Sequence, residues 1–387
     1  MNKKKLYVWE AFSLFYIMLV TIYYMISISK LKIAIFPNYR NIIFISVPFF
    51  VMAIFFRRYT IKRILIYLVL MVLAVMSVKQ SKEYTIFLTV SQTLCAFDID
   101  YRKIIRLILN TEICFTCTNI VLGLIGVIDI NTIQYTRMVS LLPKIQRYDM
   151  GFTHYNYFGL IIFEITVLYL MLHKKILQLA VKDIIVFLLI NLFSYFISGS
   201  RTAFLATLIF IIFCNLAKLK GVKDAFVKIL CVFTILFPFI CTVGVHFLYE
   251  KFNTLFILIN QILQTRPLYI ERYMLKAGVR PWGADLNEIE DLWGASTEKV
   301  TGTLDCGFAA LTIKFGYIIA ICYVILICKL AMELKKRKRY DILICLITIS
   351  IYGLSENVIS FFTYNLGFLF VPIIFNSKSH LLDDQKE

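Results

Sequence analysis

Apolar runs of membrane-spanning length follow one another along most of this chain. A crossing helix needs about 20 mostly apolar residues. Twelve candidate runs occur, at 6–28, 41–56, 61–78, 84–97, 104–128, 157–172, 184–199, 202–217, 225–249, 307–331, 340–355 and 357–375. The weakest, 84–97, reads as a half-span or an interfacial segment. Most links are short, but 129–156 and 250–306 are long. In the second, Phe252 to Gln264 keeps helical spacing and Thr265-Arg266-Pro267-Leu268 breaks it. The helical pattern resumes from Tyr269 to Ala277, and Pro281-Trp282-Gly283 reads as a turn. An acidic stretch follows, with Asp285, Glu288, Glu290 and Asp291. The pattern predicts an all-α, polytopic transmembrane helical bundle of about twelve spans, a single domain over 1–387. The 250–306 segment is predicted to be a large, partly helical extracytoplasmic loop with amphipathic helices at the interface.

Composition agrees. Of 387 residues, 60% are hydrophobic and 17% charged, against roughly 25% charged in soluble domains. The net charge of +17 lies in short runs between apolar stretches rather than in one patch. That excludes nucleic acid as a partner and marks cytoplasmic loops instead. Lys3-Lys4-Lys5, Arg57-Arg58, Arg102-Lys103, Lys174-Lys175, Lys218 with Lys223, and Lys335-Lys336-Arg337-Lys338-Arg339 fall in every second link between spans, and so all on one side. The alternation places both termini in the cytoplasm and the protein in the cell membrane. The first apolar run lacks a small-residue cleavage site and reads as a retained helix.

The ten cysteines are scattered singly through apolar segments, apart from Cys114 and Cys117. They predict no structural disulfide and no zinc site. No Gly-rich phosphate loop or dinucleotide fingerprint is present. This argues against an ATP-driven transporter and against use of a cytosolic sugar nucleotide. Nothing calls for a metal or a cofactor.

The polar residues that stand out collect on the outer side. They include Arg40, Arg137, Arg147, Arg201, Arg266, Arg272 and Arg280, with His154, Asn156, Asp305 and Glu356. Glu112 and Glu164 lie within apolar spans, where ionisable residues are functional candidates by default. Glu112 sits in a polar run with Asn110 and Thr111, near Thr116 and Asn119. That run keeps open a secondary transporter or flippase of lipid-linked sugars.

Several ordered patterns resemble the O-antigen polymerase and O-antigen ligase group, with the strongest likeness to Wzy-like polymerases of capsular or exopolysaccharide repeat units. Gly151-Phe152-Thr153-His154-Tyr155-Asn156-Tyr157-Phe158-Gly159 is similar to a G-F-x-H-x-N stretch at the outer start of a span. Ser198-Gly199-Ser200-Arg201-Thr202 resembles an S-x-S-R-T link. Thr265-Arg266-Pro267-Leu268, Gly278 and Pro281-Trp282-Gly283 look like the large outer loop. Leu304-Asp305-Cys306-Gly307-Phe308 with Phe315-Gly316-Tyr317 resembles the next span's start, though Cys306 stands where Asn is usual. Glu356 with Tyr364-Asn365 completes the set.

The resemblance implies glycosyl transfer between two polyprenyl-diphosphate-linked oligosaccharides outside the cytoplasmic membrane. The leaving diphosphate needs positioned positive donors, and guanidinium groups pair two phosphate oxygens at once. Arg201 and Arg266 are the foremost candidates, with Arg147, Arg280 and Asn156 also binding substrate. His154, Asp305 and Glu356 are the candidates for the base that receives the acceptor's proton. The partners implied are the lipid-linked oligosaccharides, the bilayer, and chain-length regulator and flippase membrane proteins. Glycan transfer of the ligase kind is the related alternative.

Overall fold

In the computed structural model of the chain, residues 7–135, 145–219, 221–263, 265–286 and 304–375 are described. The N-terminal lysines, Arg137, Glu288, Glu290 and Asp291 lie outside them. The elements run in order α1 (Val8–Ser27), α2 (Leu31–Ala34), α3 (Asn41–Phe55), α4 (Ile61–Ser81), α5 (Thr85–Ala96) and α6 (Tyr101–Leu124). A two-stranded sheet follows, β1 (Thr132–Tyr135) and β2 (Ile145–Tyr148), then α7 (Tyr155–His173), α8 (Val181–Ser198) and α9 (Arg201–Leu216). Next come α10 (Val222–Phe239), a wider π turn at Ile240–Gly244 and α11 (Val245–Lys251). The remainder is α12 (Asn253–Ile262), α13 (Arg266–Ala277), α14 (Gly307–Ala309), a second π turn at Ala310–Lys314, α15 (Tyr317–Lys336), α16 (Tyr340–Tyr352), α17 (Gly367–Phe370) and α18 (Pro372–Phe375).

Among the described residues, seven helices are long and apolar enough to cross a membrane: α1, α4, α6, α7, α8, the continuous α10–α11 and α15. Local sequence sets several of their ends. Thr60 caps α4 by accepting from Arg63 N–H, and Asp100 caps α6 by accepting from Arg102 N–H, as short oxygen-bearing side chains do at helix starts. Gly199 ends α8 in the left-handed region, where glycine pays no steric cost.

The predicted spans 41–56, 202–217 and 340–355 are the shorter apolar helices α3, α9 and α16, of 15, 16 and 13 residues, and three further runs take other forms. The 84–97 run is the 12-residue α5, about 18 Å long against a hydrocarbon core about 30 Å thick. The 307–331 run is interrupted at Phe315-Gly316, where Gly316 has φ of 102°. The 357–375 run is not one helix. Its first half is turns, and only α17 and α18 are helical.

The chain divides into two compact units. In unit 1 (1–58, 95–220 and 379–387), α1 packs on α3 and α6, α6 on α7, α7 on α8 and α9, and β2 on α8. Met25, Phe152, Phe158 and Ile161 form a core cluster there. One end of this unit carries Lys103 paired with Glu10, Arg57 over the Trp9 ring and Lys174 paired with Asp183. The segment leading into α7 lies at the opposite end.

In unit 2 (59–94 and 221–378), α10 packs on α15 and α16, while α13 packs on α11, α12 and both π turns. The non-helical stretch after α16 is buried at Val358, Ile359, Phe362 and Leu366. Asn365 donates to Ile359 O and accepts from Gly367 N–H, and Thr89 donates to Ser360 O. These side chains replace part of the missing helical ladder. Irregular backbone is tolerated at membrane depth only where protein or a water-filled cavity surrounds it.

Candidate functional site

In unit 1 the first polar cluster is built around the start of α7. Asp149 accepts from the N–H groups of Asn131 and Gly151 and pairs with Lys30. Lys30 N–H donates to Gly151 O, and Thr153 N–H to Ile28 O. Asn119 donates to Met150 O while accepting from the Ser29 hydroxyl at 2.6 Å. Met150 and Gly151 both hold positive φ, 51° and 82°, and a Cβ at Gly151 would collide with the Asn119 side chain. The chain thereby turns sharply and delivers His154 to the helix start.

His154 is the N-cap of α7. Its Nδ1 accepts from Asn156 N–H at 3.2 Å, which requires Nδ1 unprotonated and places the neutral ring's proton on Nε2. In this arrangement the ring presents a donor, not a base. Its ring lies 4.0 Å from that of Tyr155. Tyr155 also meets Arg147, buried on β2, with its guanidinium 4.6 Å from the Tyr155 centroid. The Arg147 side chain also lies across Gly199, leaving no room for a Cβ there. Gly159 abuts Ser200 in the same way. Two motifs distant in sequence, 151–159 and 198–202, therefore touch. Arg201 begins α9 beside them and is exposed.

In unit 2 the second cluster is organised by α13. Thr265 precedes it in the left-handed region, φ 65°, and Pro267 lies in its first turn. Arg266 donates from Nη2 to Glu356 Oε1 at 3.2 Å. Its Nε is buried and has no hydrogen-bond partner among the described residues. On the same helix Glu271, 1% exposed, meets His246 Nδ1 at 2.9 Å. His246 Nε2 lies 3.5 Å from Glu250. Asp305 is half-buried just before α14, and Cys306 is buried beside it. Arg280 donates from Nε to Ala277 O and so caps the end of α13.

The turn Pro281-Trp282-Gly283 is locked against the Phe315-Gly316 break. Ala284 N–H donates to Lys314 O, Tyr317 N–H to Arg280 O and Ile318 N–H to Pro281 O. Gly283 and Gly316 both have positive φ, and a Cβ on either would strike the other segment's backbone.

Sequence reasoning paired neither Arg266 with Glu356 nor His246 with Glu271. The second pair left a signal, because Glu271 interrupts the buried face Pro267, Ile270, Tyr273 and Ala277 of α13. Among the described residues no group of three or more His, Cys, Asp and Glu side chains is arranged to hold a metal ion.

Compared with known proteins, the chain matches no family model, no curated sequence and no solved structure. What the structure defines is a class: an all-α protein with, among the described residues, seven helices long and apolar enough to cross a membrane. Each of its two units carries a polar cluster built on helix ends.

Proposed function

We propose that this chain is a membrane glycosyltransferase that polymerises lipid-linked oligosaccharide repeat units into a surface polysaccharide: capsule, exopolysaccharide or O-antigen. The transfer takes place from polyprenyl diphosphate on the outer side of the cytoplasmic membrane. Both termini then lie in the cytoplasm, as the charge alternation expects. In support, the basic end of unit 1 lies opposite the end that carries His154, Arg147 and Arg201.

The observation that carries the reading is the arrangement on α13. One short helix presents Arg266, ion-paired to Glu356, and Glu271, bonded to His246. Arg266 and Glu271 are five residues apart, about 7.5 Å along the helix axis. In the reaction, a hydroxyl oxygen of one repeat unit bonds to the anomeric carbon of the growing chain. The bond from that carbon to the diphosphate oxygen breaks, and polyprenyl diphosphate leaves. Arg266 suits the developing charge, because its fork stays ionised and a phosphate can replace Glu356 as its partner. The hydroxyl proton goes to a base. Glu356, beside Arg266, is one candidate, and His246, oriented by the buried Glu271 carboxylate with its Nε2 toward Glu250, is a second. His154 contributes as a cap and donor. Asp305 remains a further candidate for the base, and Arg147, Asn156, Arg201 and Arg280 remain the other proposed contacts to substrate.

The test is analysis of lipid-linked glycans in cells lacking the chain. The reading expects single repeat units on polyprenyl diphosphate at the outer face and no long polymer. Normal chain length with repeats trapped inside would instead establish a flippase. A transporter is also favoured by one observation, the buried carboxyl pair of Glu112 and Glu164.

A further inference from the structure

Helices α6 and α7 of unit 1 pack against each other, and each carries one carboxyl group near its middle, Glu112 and Glu164. Glu112 is 0% exposed and Glu164 7%. The two side chains meet. Among the described residues, none of their four oxygens has a well-formed hydrogen bond to any other protein group. Thr116 is one helical turn beyond Glu112, on the same face. It is 3% exposed, and its hydroxyl also has no partner among the described residues. Three side chains bearing oxygen thus stand inside the helix pair with their polar atoms unsatisfied.

Among the described residues, the helices of unit 1 supply no counter-charge there; Lys32 of α2 donates to Ser27 O. α1 and α3 contain no basic residue, and α7 has none before His173. α8 has none after Lys182 and α9 none after Arg201. On α6 the last is Arg106, which is exposed. Lys103 and Lys30 are engaged by Glu10 and Asp149. A carboxylate held in an apolar interior without a partner is strongly disfavoured, and two in contact repel each other besides. With no counter-charge from the described helices of unit 1, solution is the source of positive charge for the pair.

We infer that Glu112 and Glu164 form a cation-exchange site within unit 1, occupied by a proton or an alkali cation, with Thr116 as a further oxygen donor. Carboxylate and hydroxyl oxygens are the ligands that hard cations take. The site lets unit 1 take up and release positive charge at the middle of the α6–α7 pair. Glycosyl transfer from a diphosphate does not call for this, so the inference stands apart from the proposed function.

The experiment uses the full chain in phosphatidylglycerol vesicles and the apolar reagent dicyclohexylcarbodiimide, which modifies protonated carboxyl groups. Peptide mass spectrometry then follows modification across a pH series in choline, sodium or potassium salts. We expect modification to concentrate at Glu112 or Glu164 and to fall about tenfold for each pH unit beyond the transition. Protection by sodium or potassium identifies an alkali cation, and indifference to both identifies a proton; either result supports the site. Absence of modification at both residues at every pH overturns it. So does modification that changes with neither pH nor cation. A second measurement compares melting temperatures of the wild type, Glu112→Gln and Glu164→Gln under the same conditions. The wild type should respond to pH or cation and the variants should not; equal responses would also overturn the site.

Discussion

Arg266 and Glu356, 90 residues apart in the chain, are joined by a bond of 3.2 Å from guanidinium to carboxylate. Their side chains are 19% and 13% exposed, so the pair is neither fully screened by solvent nor sealed from a ligand. Under the proposed function, Arg266→Ala should lower polymer formation by about 10²–10³-fold, the loss typical of one charge-stabilising donor. Arg266→Lys should restore little, since an ammonium cannot fork across two phosphate oxygens. Gel analysis of polysaccharide length, with lipid-linked repeats quantified alongside, reads both. Normal long chains in Arg266→Ala cells would remove Arg266 from the site.

His154 offers a cleaner separation of roles. If its work is to cap α7, His154→Asn should preserve stability, because Asn is among the best N-caps. His154→Ala should lose about 0.5–2 kcal/mol. Thermal unfolding in detergent measures the difference. Activity retained in His154→Asn would confirm a structural cap, whereas activity lost at unchanged stability would return His154 to the chemistry.

His246 and Glu271 should behave as one unit. Each of His246→Ala and Glu271→Gln should reduce polymerisation by about 10²–10⁴-fold if the pair supplies the base. The double variant should add little to either, since residues acting together are not additive. Fully multiplicative losses would mean that the two act separately.

Gly159 abuts Ser200 without space for a methyl group. Gly159→Ala should therefore destabilise the protein by about 1–3 kcal/mol through overpacking. Pairing it with Ser200→Gly should recover much of that loss, a coupling expected only of residues in contact. Melting temperatures of the four proteins in the cycle provide the check.

Much of the bundle was legible in the sequence because continuous apolar runs leave few alternatives to a helix in lipid. α1, α4, α6, α7, α8, α10–α11 and α15 correspond to such runs. The same criterion misread 357–375, since hydropathy counts Val358, Ile359 and Phe362 as lipid-like and ignores what Asn365 and Thr89 do to the backbone. It also passed over Gly316, whose left-handed φ ends one segment and starts another. The hairpin β1–β2 went unread, although Ile145, Gln146, Arg147 and Tyr148 pair in register with Tyr135, Gln134, Ile133 and Thr132. Four-residue strands carry too short an alternation to stand out beside helical runs. Of the candidate site, residue types were readable but partners were not. Nothing local in the sequence says that Glu271 reaches back to His246, or that Arg147 lies over Gly199.

The buried turns that follow α16 carry a consequence for biogenesis. A segment that relies on Thr89 and Asn365 to satisfy part of its backbone cannot enter the bilayer as an autonomous helix. Each peptide group left bare in hydrocarbon would cost several kcal/mol. Residues 353–366 must therefore wait at the insertion machinery until α5, α15 and α16 stand ready to receive them, making this stretch a late step in assembly.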